Sequence, residues 1–145
     1  MSALHLPRAP IVIISDVLVY ASLLQDILQD EGYPAITYDL HPDACRFVSL
    51  IEPDLLILDL QAKTNPALSI AFLESLRHDP HCCAMAILVC TPIPNADIRR
   101  LIQPYGSMLA KPFALPAFLA AVDTRLDRGA PANVRSVLTG ALSVA

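Results

Sequence analysis

Short apolar runs alternate along the chain with longer segments in which apolar side chains recur every three or four positions. The runs are IVIIS (11–15), AITYD (35–39), DLLILDL (54–60), AMAILVC (84–90) and SMLA (107–110). Runs of this length that are rich in Ile, Val and Leu predict strands, and consecutive apolar residues indicate burial on both faces. We therefore predict five strands, of which the third has the clearest pattern and the second the weakest.

The segments between the strands have the apolar spacing of helices that pack one face against a sheet. We predict helices over residues 17–31, 66–78 and about 114–127, with two shorter helices that follow Asp43 and Asn95. Gly32 is placed as the glycine that ends the first helix. The apolar face predicted for that helix consists of Tyr20, Leu23, Leu24, Ile27 and Leu28.

Five strand–helix units in series predict an α/β fold, a doubly wound five-stranded parallel sheet with helices on both faces. In such sheets ligands bind at the carboxyl ends of the strands, near the point where the strand order reverses. The polar residues at or just past the strand ends are Asp16, Asp39, Asp59, Thr91 and Lys111.

Composition supports a single domain and excludes several classes of protein. The chain has 145 residues, 54% apolar and 17% charged, yet no apolar run approaches the ~18 residues that a membrane span needs. With a net charge of −4 and no basic cluster larger than Arg99–Arg100, we expect no nucleic-acid binding by this chain alone. We also expect no membrane association, no secretion signal and a cytoplasmic location, with its four cysteines reduced.

The polar residues at the strand ends suggest phosphoryl chemistry. Two carboxylates on neighbouring strands, Asp16 and Asp59, repel each other unless a cation lies between them, and their hard oxygen ligands favour Mg²⁺. A carboxylate beside that cation could attack a phosphoryl group and form an acyl phosphate. The Lys111 ammonium and the Thr91 hydroxyl would then stabilise the transferred oxygens.

The order IVIISD, DLLILDL, ILVCT and AKPF resembles the receiver domain of two-component response regulators, of the chemotaxis-regulator type, over residues 11–127. The resemblance implies a flavodoxin-like fold, with an N-terminal extension at 1–10 and a tail or linker stub at 128–145. It also implies that Asp59 is the phosphoacceptor and that Asp16, Asp59 and the backbone carbonyl of Gln61 bind Mg²⁺. Thr91 would be the switch hydroxyl and Lys111 the phosphate-pairing lysine.

The partners that the resemblance implies are a histidine kinase or phosphotransfer protein. A second copy of the chain could also bind through the surface formed by the fourth helix, fifth strand and fifth helix. The domain would be regulatory rather than an independent enzyme, since it has only four glycines and no glycine-rich phosphate loop.

Three residues depart from the receiver pattern. Ser15 replaces the first of two adjacent acids, which predicts weaker Mg²⁺ binding. Pro92 follows Thr91 and removes a backbone N–H near the expected phosphate. Met108 stands where many receivers have an aromatic residue, so the usual threonine–aromatic coupling cannot operate. These departures favour an alternative, a pseudo-receiver that acts as a protein-interaction module without being phosphorylated.

Overall fold

The computed structural model of the chain describes residues 9–92 and 95–126. Its elements are β1 (Ile11–Ser15), α1 (Leu18–Asp30), β2 (Ala35–Asp39), α2 (Ala44–Ile51), β3 (Leu55–Asp59), α3 (Pro66–His78), β4 (Ala86–Thr91), α4 (Ala96–Ile102), β5 (Ser107–Ala110) and α5 (Leu115–Leu126). Every predicted strand and helix is confirmed, with ends displaced by a residue or two. The predicted tail at 128–145 and most of the predicted extension at 1–10 lie outside the described residues.

The five strands form one parallel sheet in the order β2-β1-β3-β4-β5. The strand order reverses between β1 and β3, which are neighbours in the sheet. In the register of these two strands Ser15 lies opposite Asp59, and Asp59 in turn lies opposite Cys90 of β4. The polar strand ends therefore meet at one edge of the sheet, as predicted.

Alternate residues of the strands face two separate hydrophobic layers, which confirms the doubly wound arrangement. On one side, strand residues such as Val12, Leu56 and Val89 pack with α2, α3 and α4. On the other side, residues such as Ile13 and Ile57 pack with α1 and α5. No described helix is both long enough and apolar enough to cross a membrane.

Helix α1 ends as predicted, but it buries a different face. Gly32 has φ +88° and its N–H bonds to the carbonyl of Gln29, while the Tyr33 N–H bonds to the carbonyl of Leu28. This is a Schellman ending, which needs the left-handed conformation that glycine adopts freely. The predicted face was partly wrong: Tyr20 and Leu23 are 48% and 57% exposed. The small Ala21 packs against the sheet with Leu24 and Leu28, so the buried face is shifted away from Tyr20 and Leu23.

Two features position the start of β5: the Arg77 side chain and the absence of a side chain at Gly106. Arg77, at the end of α3, donates to the carbonyls of Cys82, Cys83, Met85 and Tyr105 and so holds the segments before β4 and β5 together. Burial lowers the pKa of this guanidinium. At Gly106, a Cβ would lie 2.5 Å from the backbone oxygen of Ile87. The chain before β5 therefore approaches β4 more closely than any residue with a side chain allows.

Replacing Gly106 with alanine is expected to lower the free energy of unfolding by about 1–3 kcal/mol, because backbone atoms must move to admit the methyl group. Gly32→Ala is the matched control, since nothing lies within 4 Å of its Cβ and it incurs only the strain of a positive φ. Urea denaturation of both variants measures the difference. A Gly106→Ala variant as stable as the wild-type protein would contradict the close approach.

Candidate functional site

The side chain of Asp59 lies buried at the carboxyl end of β3, with 1% of its surface exposed. One oxygen, Oδ2, accepts hydrogen bonds from Ser15 Oγ at 3.0 Å and from Gln61 Nε2 at 2.8 Å. The other oxygen, Oδ1, lies 2.5 Å from the ammonium nitrogen of Lys111. Groups from β1, the loop after β3 and the loop after β5 thus converge on a single carboxylate.

Lys111 is held in this position at both its backbone and its side chain. Its backbone N–H donates to the Thr91 carbonyl at 2.8 Å, which continues the pairing of β5 with β4. Its Nζ also donates to the carbonyl of Leu60 at 2.9 Å. Asp59 Oδ1 is buried and accepts no hydrogen bond of normal geometry from the described residues, so its contact with Lys111 is an ion pair. The predicted juxtaposition of the two residues is present.

Ser15 is also buried, and it contributes a donor where the receiver pattern has an acid. Its hydroxyl accepts from the Val17 N–H at 3.1 Å, which orients it in the turn between β1 and α1. The same hydroxyl lies 3.0 Å from Asp59 Oδ2. A second acid here would repel Asp59, whereas the serine stabilises its charge by a hydrogen bond.

Asp16 is exposed at the same edge of the sheet, where it accepts a hydrogen bond from Thr64 Oγ1 at 3.0 Å. The Thr64 hydroxyl in turn accepts from the Gln61 N–H at 2.9 Å. The sequence prediction gave Gln61 only a backbone role and did not include Thr64. The side chain of a glutamine two residues after Asp59 is long enough to reach back to that carboxylate. This spacing is the feature of the sequence from which the contact could have been predicted.

Thr91 is buried at the end of β4, at the same edge of the sheet as Asp59. Met108 lies opposite Val89 on β5 and is partly buried against the hydrophobic core. Asp39, the remaining polar strand end, is exposed at the end of β2, on the far side of β1 from Asp59. The structure therefore brings together Asp16, Asp59 and Lys111 at the edge where Thr91 ends its strand, and leaves Asp39 outside.

Cys90, opposite Asp59 in the sheet, is a free thiol that stays protonated. Burial, with a further contribution from the charge of Asp59, raises the pKa of Cys90 to about 12. Since a thiolate is the reactive form of cysteine, this thiol is not a nucleophile near neutral pH.

The donor set fits a Mg²⁺ ion, which usually binds one or two carboxylates and keeps several waters. Asp16 directly follows β1 and Asp59 ends the adjacent β3, so two carboxylates lie at one edge of the sheet. Asp59 Oδ1 is ion-paired with Lys111, so Oδ2 is the oxygen left for a cation, and Gln61 offers a backbone carbonyl. Within the described residues, no cluster of three or more His, Cys, Asp and Glu side chains suited to a metal ion occurs. A cation here would rest on two carboxylates, the carbonyl and water.

Solved structures with the same fold include receiver domains of two-component proteins. Chemotaxis response regulator CheY4 of Vibrio cholerae aligns with a TM-score of 0.71 and 19% identity, over 82% of this chain and 99% of that one. The receiver domain of a signal transduction histidine kinase from Syntrophus aciditrophicus gives 0.69 and 22%, over 86% and 96%. The non-phosphorylated HemR receiver domain of Leptospira biflexa gives 0.62 and 20%, over 84% and 98%.

The sequence matches no family model and no curated protein. The structural likeness shows the fold, and the predicted fold is confirmed: the chain has the CheY-like receiver fold, a five-stranded parallel α/β sheet with helices on both faces.

Proposed function

We propose that this chain is a cytoplasmic signalling receiver that accepts a phosphoryl group on Asp59 from a histidine kinase or phosphotransfer protein, with Mg²⁺. One observation carries the proposal: a buried carboxylate at the strand-order reversal is ion-paired with a lysine from another strand end. Burial of such a pair gains little stability, because desolvation offsets the attraction between the charges. A functional role accounts for its presence better than stability does.

In the proposed reaction a carboxylate oxygen of Asp59 attacks phosphorus, the new O–P bond forms, and the N–P bond of the donor phosphohistidine breaks. The leaving imidazole keeps the electron pair of that bond and takes up a proton from solvent. Lys111 stabilises the charge on the transferred oxygens, and the Thr91 hydroxyl can donate to one of them. Bound Mg²⁺, held by Asp16, Asp59 and the Gln61 carbonyl, would neutralise further charge on the phosphoryl group.

A phosphoryl group on Asp59 would also change what Lys111 contacts. The ammonium now shared by Asp59 and Leu60 would bind phosphoryl oxygens instead, and Lys111 directly follows β5. We therefore place the phosphorylation-dependent surface on α4, β5 and α5, where a second copy of the chain or another protein would bind. Because Met108 is not aromatic, this change proceeds without a switching aromatic ring.

Incubation with acetyl phosphate and Mg²⁺ tests the proposal by intact-mass spectrometry. We expect the wild-type protein to gain one phosphoryl group and the Asp59→Asn variant to gain none, because the amide is not a nucleophile for phosphorus. Asp39→Asn is the matched control, since Asp39 also ends a strand but lies outside the site. A gain that persists in Asp59→Asn would overturn the proposal.

The second candidate function is a phosphorylation-independent interaction module. The observation that favours it is that Asp59 is stabilised with no cation: Ser15 and Gln61 donate hydrogen bonds to Oδ2, and Lys111 is ion-paired with Oδ1. A wild-type protein that gains no mass with acetyl phosphate at saturating Mg²⁺ would support this candidate over the first.

A further inference from the structure

We propose that the turn Gln61–Thr64 is a clasp that must open before a divalent cation binds, with the side-chain amide of Gln61 as the group that the cation displaces. This inference rests on the proposed function, because it concerns the metal site of the receiver. It adds a regulatory role for a side chain that competes with the metal.

The clasp engages all three candidate metal ligands at once. Gln61 Nε2 donates to Asp59 Oδ2 at 2.8 Å, and Thr64 Oγ1 donates to Asp16 Oδ2 at 3.0 Å. The third ligand, the Gln61 carbonyl, accepts from the Thr64 N–H at 3.1 Å. Each oxygen that would bind the cation is therefore already hydrogen-bonded to a residue of the same turn.

The two ends of the clasp are tied to each other, which makes it a unit. The Thr64 hydroxyl accepts from the Gln61 N–H at 2.9 Å while it donates to Asp16. Asn65 then begins α3, where its side chain accepts from the Ala67 N–H. Since the turn is anchored at both ends, the Gln61 side chain is held against Asp59 in one conformation.

The charges at the site show that the clasp competes with a cation but does not do the cation's work of neutralising the two carboxylates. Asp16 and Asp59 carry two negative charges, and Lys111 supplies one positive charge to Asp59. The amide and hydroxyl donors are neutral, so one negative charge at the site stays uncompensated and still attracts a cation. A cation that binds Asp59 Oδ2, the oxygen not paired with Lys111, must displace the Gln61 amide, and its affinity falls by the free energy of that hydrogen bond.

Removal of the amide should tighten Mg²⁺ binding. In Gln61→Ala and in Gln61→Met, which keeps the length of the side chain, we expect the dissociation constant for Mg²⁺ to fall about five-fold. Gln25→Ala is the matched control, because the Gln25 amide also donates a 2.9 Å hydrogen bond, but to the carbonyl of Ala35 at the opposite end of the sheet. Backbone-amide NMR shifts followed through a titration with MgCl₂ give each constant without any phosphorylation.

An unchanged or larger dissociation constant in both Gln61 variants, or no response to Mg²⁺ in either, would overturn the clasp. A decrease of equal size in Gln25→Ala would also overturn it, since the effect would not be local. The acetyl phosphate experiment separates the two proposals. If the wild-type protein is phosphorylated and the Gln61 variants bind Mg²⁺ only as tightly as wild type, the clasp alone is refuted. If the Gln61 variants bind Mg²⁺ more tightly and the wild-type protein is not phosphorylated, the receiver function alone is refuted.

Discussion

Replacing Ser15 with aspartate is expected to lower the free energy of unfolding in metal-free buffer by about 3–5 kcal/mol, the usual cost of an uncompensated buried charge. The Ser15 side chain is 1% exposed, and its Oγ lies 3.0 Å from Asp59 Oδ2. The new carboxylate would therefore be buried against an existing one, with a single lysine to balance both. Mg²⁺ should restore much of the loss, because a cation that binds only the folded state stabilises it.

Urea denaturation of Ser15→Asp in EDTA and again in excess MgCl₂ measures both effects. Ser15→Asn is the matched control, with a side chain of similar size and no charge. We expect a large gain in stability on adding Mg²⁺ to Ser15→Asp and a small one in Ser15→Asn. Equal responses to Mg²⁺ in the two variants would contradict the placement of residue 15 beside the proposed Mg²⁺ site.

Replacing Lys111 with methionine is expected to destabilise the protein by up to about 3–5 kcal/mol, because it leaves the Asp59 carboxylate buried without its counter-charge. The loss falls below that limit to the extent that water reaches the site, since the Lys111 side chain is 20% exposed. Asp59→Asn in the Lys111→Met background should recover most of the loss, because no buried charge then remains.

A double-mutant cycle of Lys111→Met and Asp59→Asn measures this coupling by chemical denaturation. Arg100→Met is the comparison variant, since it breaks the ion pair with Asp97 on the surface, where both side chains are well exposed and the pair contributes little. Additive effects of the Lys111 and Asp59 substitutions would contradict the ion pair at the centre of the site.

The main part of the site could be predicted because strand geometry determines it. Consecutive apolar residues identify buried parallel strands, and the carboxyl ends of such strands meet at one edge. Asp16, Asp59 and Lys111 lie just at or past three of those ends, so their convergence followed from the order of elements along the chain. The register that places Ser15 opposite Asp59 then makes their contact unavoidable.

The features of the site and fold that were not predicted depend on loop conformation and on close packing. The spacing of apolar residues along the chain predicts neither. The Gln61 amide donates to Asp59 from the start of a turn that the Thr64 hydroxyl closes by accepting the Gln61 N–H. The buried face of α1 was predicted only in part: Leu24 and Leu28 are buried, but the small Ala21 packs against the sheet where helical spacing favoured the bulkier Tyr20 and Leu23. The donor role of Ser15 was likewise not predicted, since its sequence position indicated only a missing acid.

Chemical localisation of the phosphoryl group tests the proposed role of Asp59. After reaction with acetyl phosphate and Mg²⁺, sodium borohydride reduces an aspartyl phosphate to homoserine, and peptide sequencing by tandem mass spectrometry locates the altered residue. The proposed function predicts homoserine at position 59 and unmodified aspartate at positions 16 and 39. Homoserine at either of those positions, with residue 59 unmodified, would contradict it.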